Sequence, residues 1–449
     1  MALAQLTGTM ALPPRWTLGW QQCRYSYSPD SEVVRIASEY RARKIPCDVL
    51  WMDIDYQQGN RGFTFSARDF PDPTALNGWL HAHDFHSVWI VDPGIKRESG
   101  YAPYDEGSAA GFWVRDGNGN DYTGDVWPGS CVFPDVTRAA TRAWWGARIG
   151  SFASVGADGI WNDMNEPAVF GGPDKTMPVT NSHRADAALG GTSTHRRFHN
   201  AYGMLLARST FEGMRNAFPD KRPYVLSRAN FLGGQKYAAA WTGDNSASWP
   251  HLRYSVAMAL NLGLSGQPFA GADIGGYSGM PSGDLYARWV GVGALLPFAR
   301  AHAEKGSPHK EPWAFGPAVE ATCRRAIETR YRLMPYLYTV FREASVSGLP
   351  VARPEFFADP SDLALRKEDQ AFLLGRDVLV LADMDEDHRH QFILPHGRWR
   401  EARIADGALV VHEAGHDGDW DPPAGRRYSI EVLKDAADPK PAYQRVIQP

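Results

Sequence analysis

The stretch DVLWMDIDY, residues 48–56, is a short apolar run that breaks into acids, ending on Asp53 and Asp55. Seven further segments of the first 300 or so positions read the same way: 17–21, 86–93 (HSVWIVDP), 159–165 (GIWNDMN), 223–228 (PYVLSR), 239–244 (AAWTGD), 269–276 (FAGADIGG) and 293–302 (GALLPFARAH). Between them lie segments of helical periodicity. Residues 31–44 place Val33, Val34, Ala37 and Tyr40 at near-helical spacing behind a Pro29-Asp30-Ser31 start signal, and residues 137–155 form a second helix. Strand alternating with helix predicts a parallel sheet, and eight strands are the number that closes a barrel. The expected fold class is therefore α/β, a (β/α)8 TIM barrel.

Length agrees with a barrel plus one small companion, since 449 residues exceed the roughly 250 to 400 that a barrel commonly takes. We expect the catalytic barrel over residues 1–348. Its connections after strands 3 and 4, near 96–134 and 167–194, are too long and too rich in Gly, Pro and Asp to be plain turns. Beyond position 349 the texture changes to short alternating runs, 372–381, 391–394 and 408–412. These predict a small antiparallel, β-sandwich-like domain over 349–437, followed by a loose tail over 438–449.

Composition excludes several classes of function. Lys plus Arg number 47 against 51 Asp plus Glu, a formal charge of −4 with no long run of one sign, so neither nucleic acid nor an anionic membrane is an expected partner. The four cysteines, at 23, 47, 131 and 323, lack metal-site or disulfide-framework spacing and read as buried thiols. With no positive n-region, no apolar h-region and no apolar run of about 18 residues, the expectation is a soluble, cytoplasmic protein. Sixteen Trp suit both core packing and stacking on sugar faces.

Barrel enzymes carry their working groups at the C-terminal ends of the strands. Here those ends hold Asp53 and Asp55, Asp92, Asp163 and Glu166, Arg228, Asp244, Asp273, and Arg300 with His302. Seven acids around one mouth would repel one another, a cost that function accounts for better than stability does. Two carboxylates perform glycosidic chemistry, one attacking the anomeric carbon and one protonating the leaving oxygen, while others accept hydrogen bonds from sugar hydroxyls. Closely spaced Glu and His ligands are lacking, so no metal or other cofactor is expected there. Glu166 reads as a brace for its loop.

These residues carry a family resemblance. DGIWNDMNEP (158–167) resembles the nucleophile segment of glycoside hydrolase family 31, and WTGD (241–244) resembles its acid/base segment. DVLWMDIDY, FTFSARDFPDP (63–73), VDPGI (91–95), GADIGGY (271–277) and PFARAH (297–302) follow in the family's order. The resemblance implies Asp163 as nucleophile and Asp244 as acid/base. It also implies Asp53, Asp92, Arg228 and His302 on the hydroxyls of the non-reducing-end sugar, and Trp161, Trp241 and Tyr277 as pocket walls with Met164 beside the nucleophile. Asp273 and Arg300 join the substrate-binding set, although Asp273 has the alternative of orienting Arg228 or Arg300 through a salt bridge.

The implied activity is a retaining, exo-acting α-glucosidase that needs no cofactor and acts on α-glucosides and oligosaccharides, maltose-like or nigerose-like. The sequence leaves open α-xylosidase, α-galactosidase or transglucosylase activity, and a non-catalytic carbohydrate-binding barrel. Family members usually carry a β-sandwich before the barrel, whereas this barrel begins near Trp16. The uncovered flank leads us to expect homo-oligomers and an incomplete subsite for the leaving group.

Overall fold

The computed structural model describes residues 2–447, apart from 173, 387–388, 394, 396–398, 406–407, 414–426 and 434–441. The chain forms two compact units, one of residues 23–39 and 48–241, the other of residues 1–22, 40–47 and 242–449. Between them they supply the strands of one parallel barrel sheet, the fold class expected. In chain order these strands are β1 (Gln21–Gln22), β2 (Val49–Met52), β3 (His86–Ile90), β4 (Gly159–Asn162), β5 (Val225–Ser227), β6 (Ala239–Trp241), β7 (Ala270–Gly271, resuming as Asp273–Ile274) and β8 (Arg300–Ala301).

The first unit holds β2 to β6, with β2 parallel to β3, β3 to β4, β4 to β5, and β5 to β6. Every residue of β2, β4, β5 and β6 is buried, which is why each reads as a continuous apolar run. Helices of this unit include α1 (Asp30–Ala42, all but its last turn), α2 (Pro73–Ala82) and α3 (Ala139–Ala153). Helix α2 starts on Pro73, and the Asp72 side chain caps it by accepting from the Ala75 amide at 2.9 Å.

Helix α3 packs against a fourth, α4 (His195–Ala217), with glycine at the crossing. A Cβ added at Gly213 would lie 2.3 Å from the Gly146 carbonyl oxygen and 2.5 Å from its Cα. Propensity alone would make Gly213→Ala a gain of about 1 kcal/mol. Because the obstacle is backbone, we expect instead a loss of about 1 to 3 kcal/mol, read as a lower urea midpoint. A stabilised variant would show that the helices are not in contact as described.

Both long excursions lie in this unit. The one after β3 carries a three-stranded antiparallel sheet from Ile95–Lys96, Gly129–Val132 and Gly124–Val126, and the one after β4 pairs Ser182–His183 with Ser193–Thr194.

In the second unit β1 and β7 both pair in parallel with β8. The sequence placed β1 over 17–21 and β8 over 293–302. Instead, residues 15–18 form a 3-10 turn behind two prolines, and a helix, α5 (Gly283–Gly293), occupies the start of the β8 run. Residues 294–299 are buried loop, as apolar as a strand would be. A buried arginine pins this region: Arg330 donates to the carbonyls of Leu18, Ala294, Leu296 and Pro297 at 2.6 to 2.8 Å.

The C-terminal part has one antiparallel sheet of five strands, including the hairpin Ala371–Leu374 and Val378–Ala382, and one of three. Residues 442–447, expected in a loose tail, form a strand paired with Arg427–Leu433. All four cysteines are buried and outside any disulfide, two in each unit.

Candidate active site

The first unit sets Asp163 immediately beyond β4, where Asn165 fastens its turn. The Asn165 side chain donates to Ser227 Oγ at 2.9 Å and accepts from the Ala229 amide at 3.0 Å, while the Arg228 amide donates to the Asn162 carbonyl at 3.1 Å. The ends of β4 and β5 are thereby locked together, and Arg228 is brought onto Asp163, Nη1 to Oδ1 at 3.0 Å. The same guanidinium engages both oxygens of Glu166 at 2.8 and 3.0 Å and donates to Met164 Sδ at 3.1 Å. Two carboxylates thus share one planar cation, a geometry only arginine offers. Met164 takes a left-handed backbone, φ 53°, directly after the nucleophile candidate, and is buried.

Asp92, at the end of β3, belongs to this group. Burial and then the Asp163 charge push its carboxyl well above the usual carboxylate range; Arg228 pulls it back and Glu166 adds to the rise. Asp53 is buried at the end of β2, where its Oδ1 accepts from the Ile54 amide at 2.7 Å. Trp161 and Trp241 are buried edge to face, centroids 5.5 Å apart at 78°, and Trp51 meets Trp161 in the same way at 5.6 Å.

Sequence reasoning missed Tyr25. Burial and then the charges of Asp55, Asp53 and Asp92 raise its hydroxyl to about 12, which places it among the strand-end acids. Its ring meets Trp127 edge to face at 6.0 Å, and Trp127 meets Phe170 at 4.8 Å. Trp127 and Phe170 are exposed and come one from each long excursion. Their only signal in the sequence was the length of those excursions.

In the second unit Asp244 follows β6 and is exposed. Its neighbour Asn245 is buried and stitches the turn to the one after β7. The Asn245 side chain donates to the Asp273 carbonyl at 3.0 Å and accepts from the Tyr277 amide at 2.8 Å, while the Ser278 amide donates to the Asn245 carbonyl at 2.9 Å. At Gly276, φ 77°, an added Cβ would lie 2.4 Å from the Ala247 amide nitrogen, so the two turns meet where only glycine fits. Lys310, buried and also unforeseen, donates to the carbonyls of Gly276 and Tyr277 at 2.6 and 2.9 Å.

Asp273 and Arg300 face each other at 2.6 Å with no exposed side-chain surface, the salt-bridge arrangement the sequence had left as one alternative for Asp273. Tyr277 and His302 lie ring to ring at 4.9 Å. The structure therefore gathers Asp163, Met164, Glu166, Arg228 and Asp92 in one unit, and Asn245, Asp273, Tyr277, Arg300 and His302 in the other.

Residues 10–340 match the family model for the glycosyl hydrolases family 31 TIM-barrel domain, and residues 348–423 that for the family's C-terminal domain. Alpha-glucosidase 2 of Bacillus thermoamyloliquefaciens is 43% identical over 395 residues, 88% of this chain and 50% of that protein. A probable glucan 1,3-alpha-glucosidase of Arabidopsis thaliana is 45% identical over 382 residues, 84% of this chain and 41% of that protein. Among solved structures, a family 31 alpha-glucosidase from Bacteroides thetaiotaomicron superposes with a TM-score of 0.80 at 40% identity, covering 99% of this chain and 79% of its own. The chain spans about half the length of the curated relatives named here.

Proposed function

Because the chain belongs to glycosyl hydrolase family 31, we propose that it hydrolyses α-glucosides from the non-reducing end with net retention, Asp163 acting as nucleophile and Asp244 as acid/base. The observation that carries this reading is Arg228, which holds a counter-charge 3.0 Å from Asp163 at the end of β4. A carboxylate kept ionised there has a lone pair to offer to an electrophilic carbon.

Asp163 attacks the anomeric carbon as the glycosidic C–O bond breaks, and Asp244 gives its proton to the departing oxygen. Asp244, now a carboxylate, takes a proton from water as that water attacks the anomeric carbon. The ester C–O bond breaks, and Asp163 returns to its ionised form. Double displacement of this kind requires the two carboxyl groups to stand about 5 to 5.5 Å apart. Asp53, Asp92, Arg228 and His302 grip sugar hydroxyls, with Trp161, Met164, Trp241 and Tyr277 as walls. Asp273 and Arg300 belong to the substrate-binding set, and their buried pairing favours a positioning role for Asp273 through Arg300. Relatives named alpha-glucosidases favour glucose over the other sugars of the family.

The test is the anomer of the first product from para-nitrophenyl α-glucoside, followed by NMR before mutarotation. We expect α-glucose. First release of β-glucose would rule out the double displacement, and no turnover of any α-glycoside would leave the chain a sugar-binding barrel.

A further inference from the structure

At the opposite ends of the strands from Asp92 and Asp163, two histidines converge on one carboxylate. His81 lies in the last turn of α2, His86 is the first residue of β3, and Asp158 immediately precedes β4. His81 Nε2 stands 2.7 Å and His86 Nδ1 3.3 Å from the same Asp158 oxygen, Oδ2. The three ligand atoms all lie within 4.8 Å of one another.

The carboxylate is fixed from behind. Its Oδ2 accepts from the Ser87 amide at 3.1 Å, and the Asp158 amide donates to the Ser87 carbonyl at 3.0 Å. Burial opposes the Asp158 charge, but the hydrogen bonds and charges of His86 and His81 outweigh it and hold the carboxyl below its ordinary range. The histidine side chains are 37% and 35% exposed, so water and ions reach the group.

We propose that His81, His86 and Asp158 form a binding site for one divalent transition-metal ion, zinc above all, that serves stability and takes no part in glycoside chemistry. Two imidazole nitrogens and one carboxylate oxygen are a donor set that suits zinc and its neighbours in the first row. Bonds of about 2.0 to 2.1 Å in a tetrahedron set the ligand atoms about 3.3 Å apart. The His86 to Asp158 distance of 3.3 Å meets that spacing as it stands. The His81 contact at 2.7 Å must open by about 0.6 Å, which a turn of its half-exposed ring allows. The fourth position faces solvent and takes a water. The Ser87 amide on the carboxylate is the kind of outer hydrogen bond that orients a metal ligand.

Bound there, the ion would tie α2, β3 and β4 at one point and favour the folded state by mass action. Both imidazole nitrogens must be free of protons to bind it, so the ion competes with protons for the site.

The experiment titrates chelator-treated full chain with zinc chloride by calorimetry near about pH 7.5. His81→Gln and His86→Gln are the informative variants, because glutamine keeps a donor for Asp158 while removing the imidazole. His83→Ala, a neighbouring histidine stacked on Trp79, is the control. We expect one equivalent of zinc on the parent and on the control. Each Gln variant should bind at least about tenfold more weakly, and the zinc-induced rise in melting temperature should disappear with it. Glucoside hydrolysis should be indifferent to the chelator, so this proposal fails or stands apart from the hydrolase reading. Absence of a stoichiometric site in the parent, or equal binding by the Gln variants with native circular dichroism, would overturn it.

Discussion

Alanine at Asp163 should lower turnover of every α-glucoside by at least about 10⁴-fold, glucosyl fluoride included, because no leaving group can compensate for a missing nucleophile. Asp244→Ala should behave differently. An acid helps only a leaving group that needs a proton, so disaccharides should lose about 10² to 10⁴-fold while fluoride, which departs unaided, forms the glycosyl-enzyme at near parental rate. The measurement is kcat/KM on maltose and on the fluoride for both variants. Equal losses on the two substrates in Asp244→Ala would remove that residue from the acid role, and a fluoride-active Asp163→Ala would remove the nucleophile. Melting temperature separates chemistry from folding, since Asp163 also shares Arg228 with Glu166.

Arg300→Met should be strongly destabilising, at about 3 to 5 kcal/mol. Arg300 and Asp273 are both fully buried and paired at 2.6 Å, so methionine would take from a buried carboxylate the guanidinium that faces it. The penalty comes from the buried charge that stays behind more than from the lost attraction. Adding Asp273→Leu removes that charge and should recover much of the loss. Urea midpoints of the two single variants and the double variant decide the matter. An Arg300→Met protein within about 0.5 kcal/mol of the parent would show that water or another group screens Asp273.

The barrel was legible in the sequence because most of its strands are buried along their whole length. Short apolar runs such as 49–52 and 159–161, each followed by acids, read as strands. The same signal misled at residues 293–302. Apolar composition reports burial, and a helix end followed by buried loop is as apolar as a strand. The start of β1 was misplaced for a local reason, a turn over Arg15–Leu18 that pattern does not record.

At the candidate site, residue types at strand ends could be named from sequence, but their pairings could not. Arg228 lies 62 residues beyond Glu166 in the chain, and only the fold shows that it grips Glu166 and Asp163 together. Lys310, Asn245 and Tyr25 escaped notice because they position other groups or sit in stretches without a periodic pattern. Residues 442–447 looked like a tail because Pro and polar neighbours mask a strand, whose partner is Arg427–Leu433.

The buried cysteines have a practical consequence. A thiol reacts as its thiolate, and burial, with the nearby Asp92 and Asp125 charges, pushes the Cys131 thiol up to about 12, while burial raises Cys323 as well. The folded chain should therefore ignore alkylating reagents until some part of it opens. Cys23 and Cys131 would time that opening in one unit, Cys47 and Cys323 in the other. Mass spectrometry of the trapped thiols would then give a separate opening free energy for each half, with no label introduced.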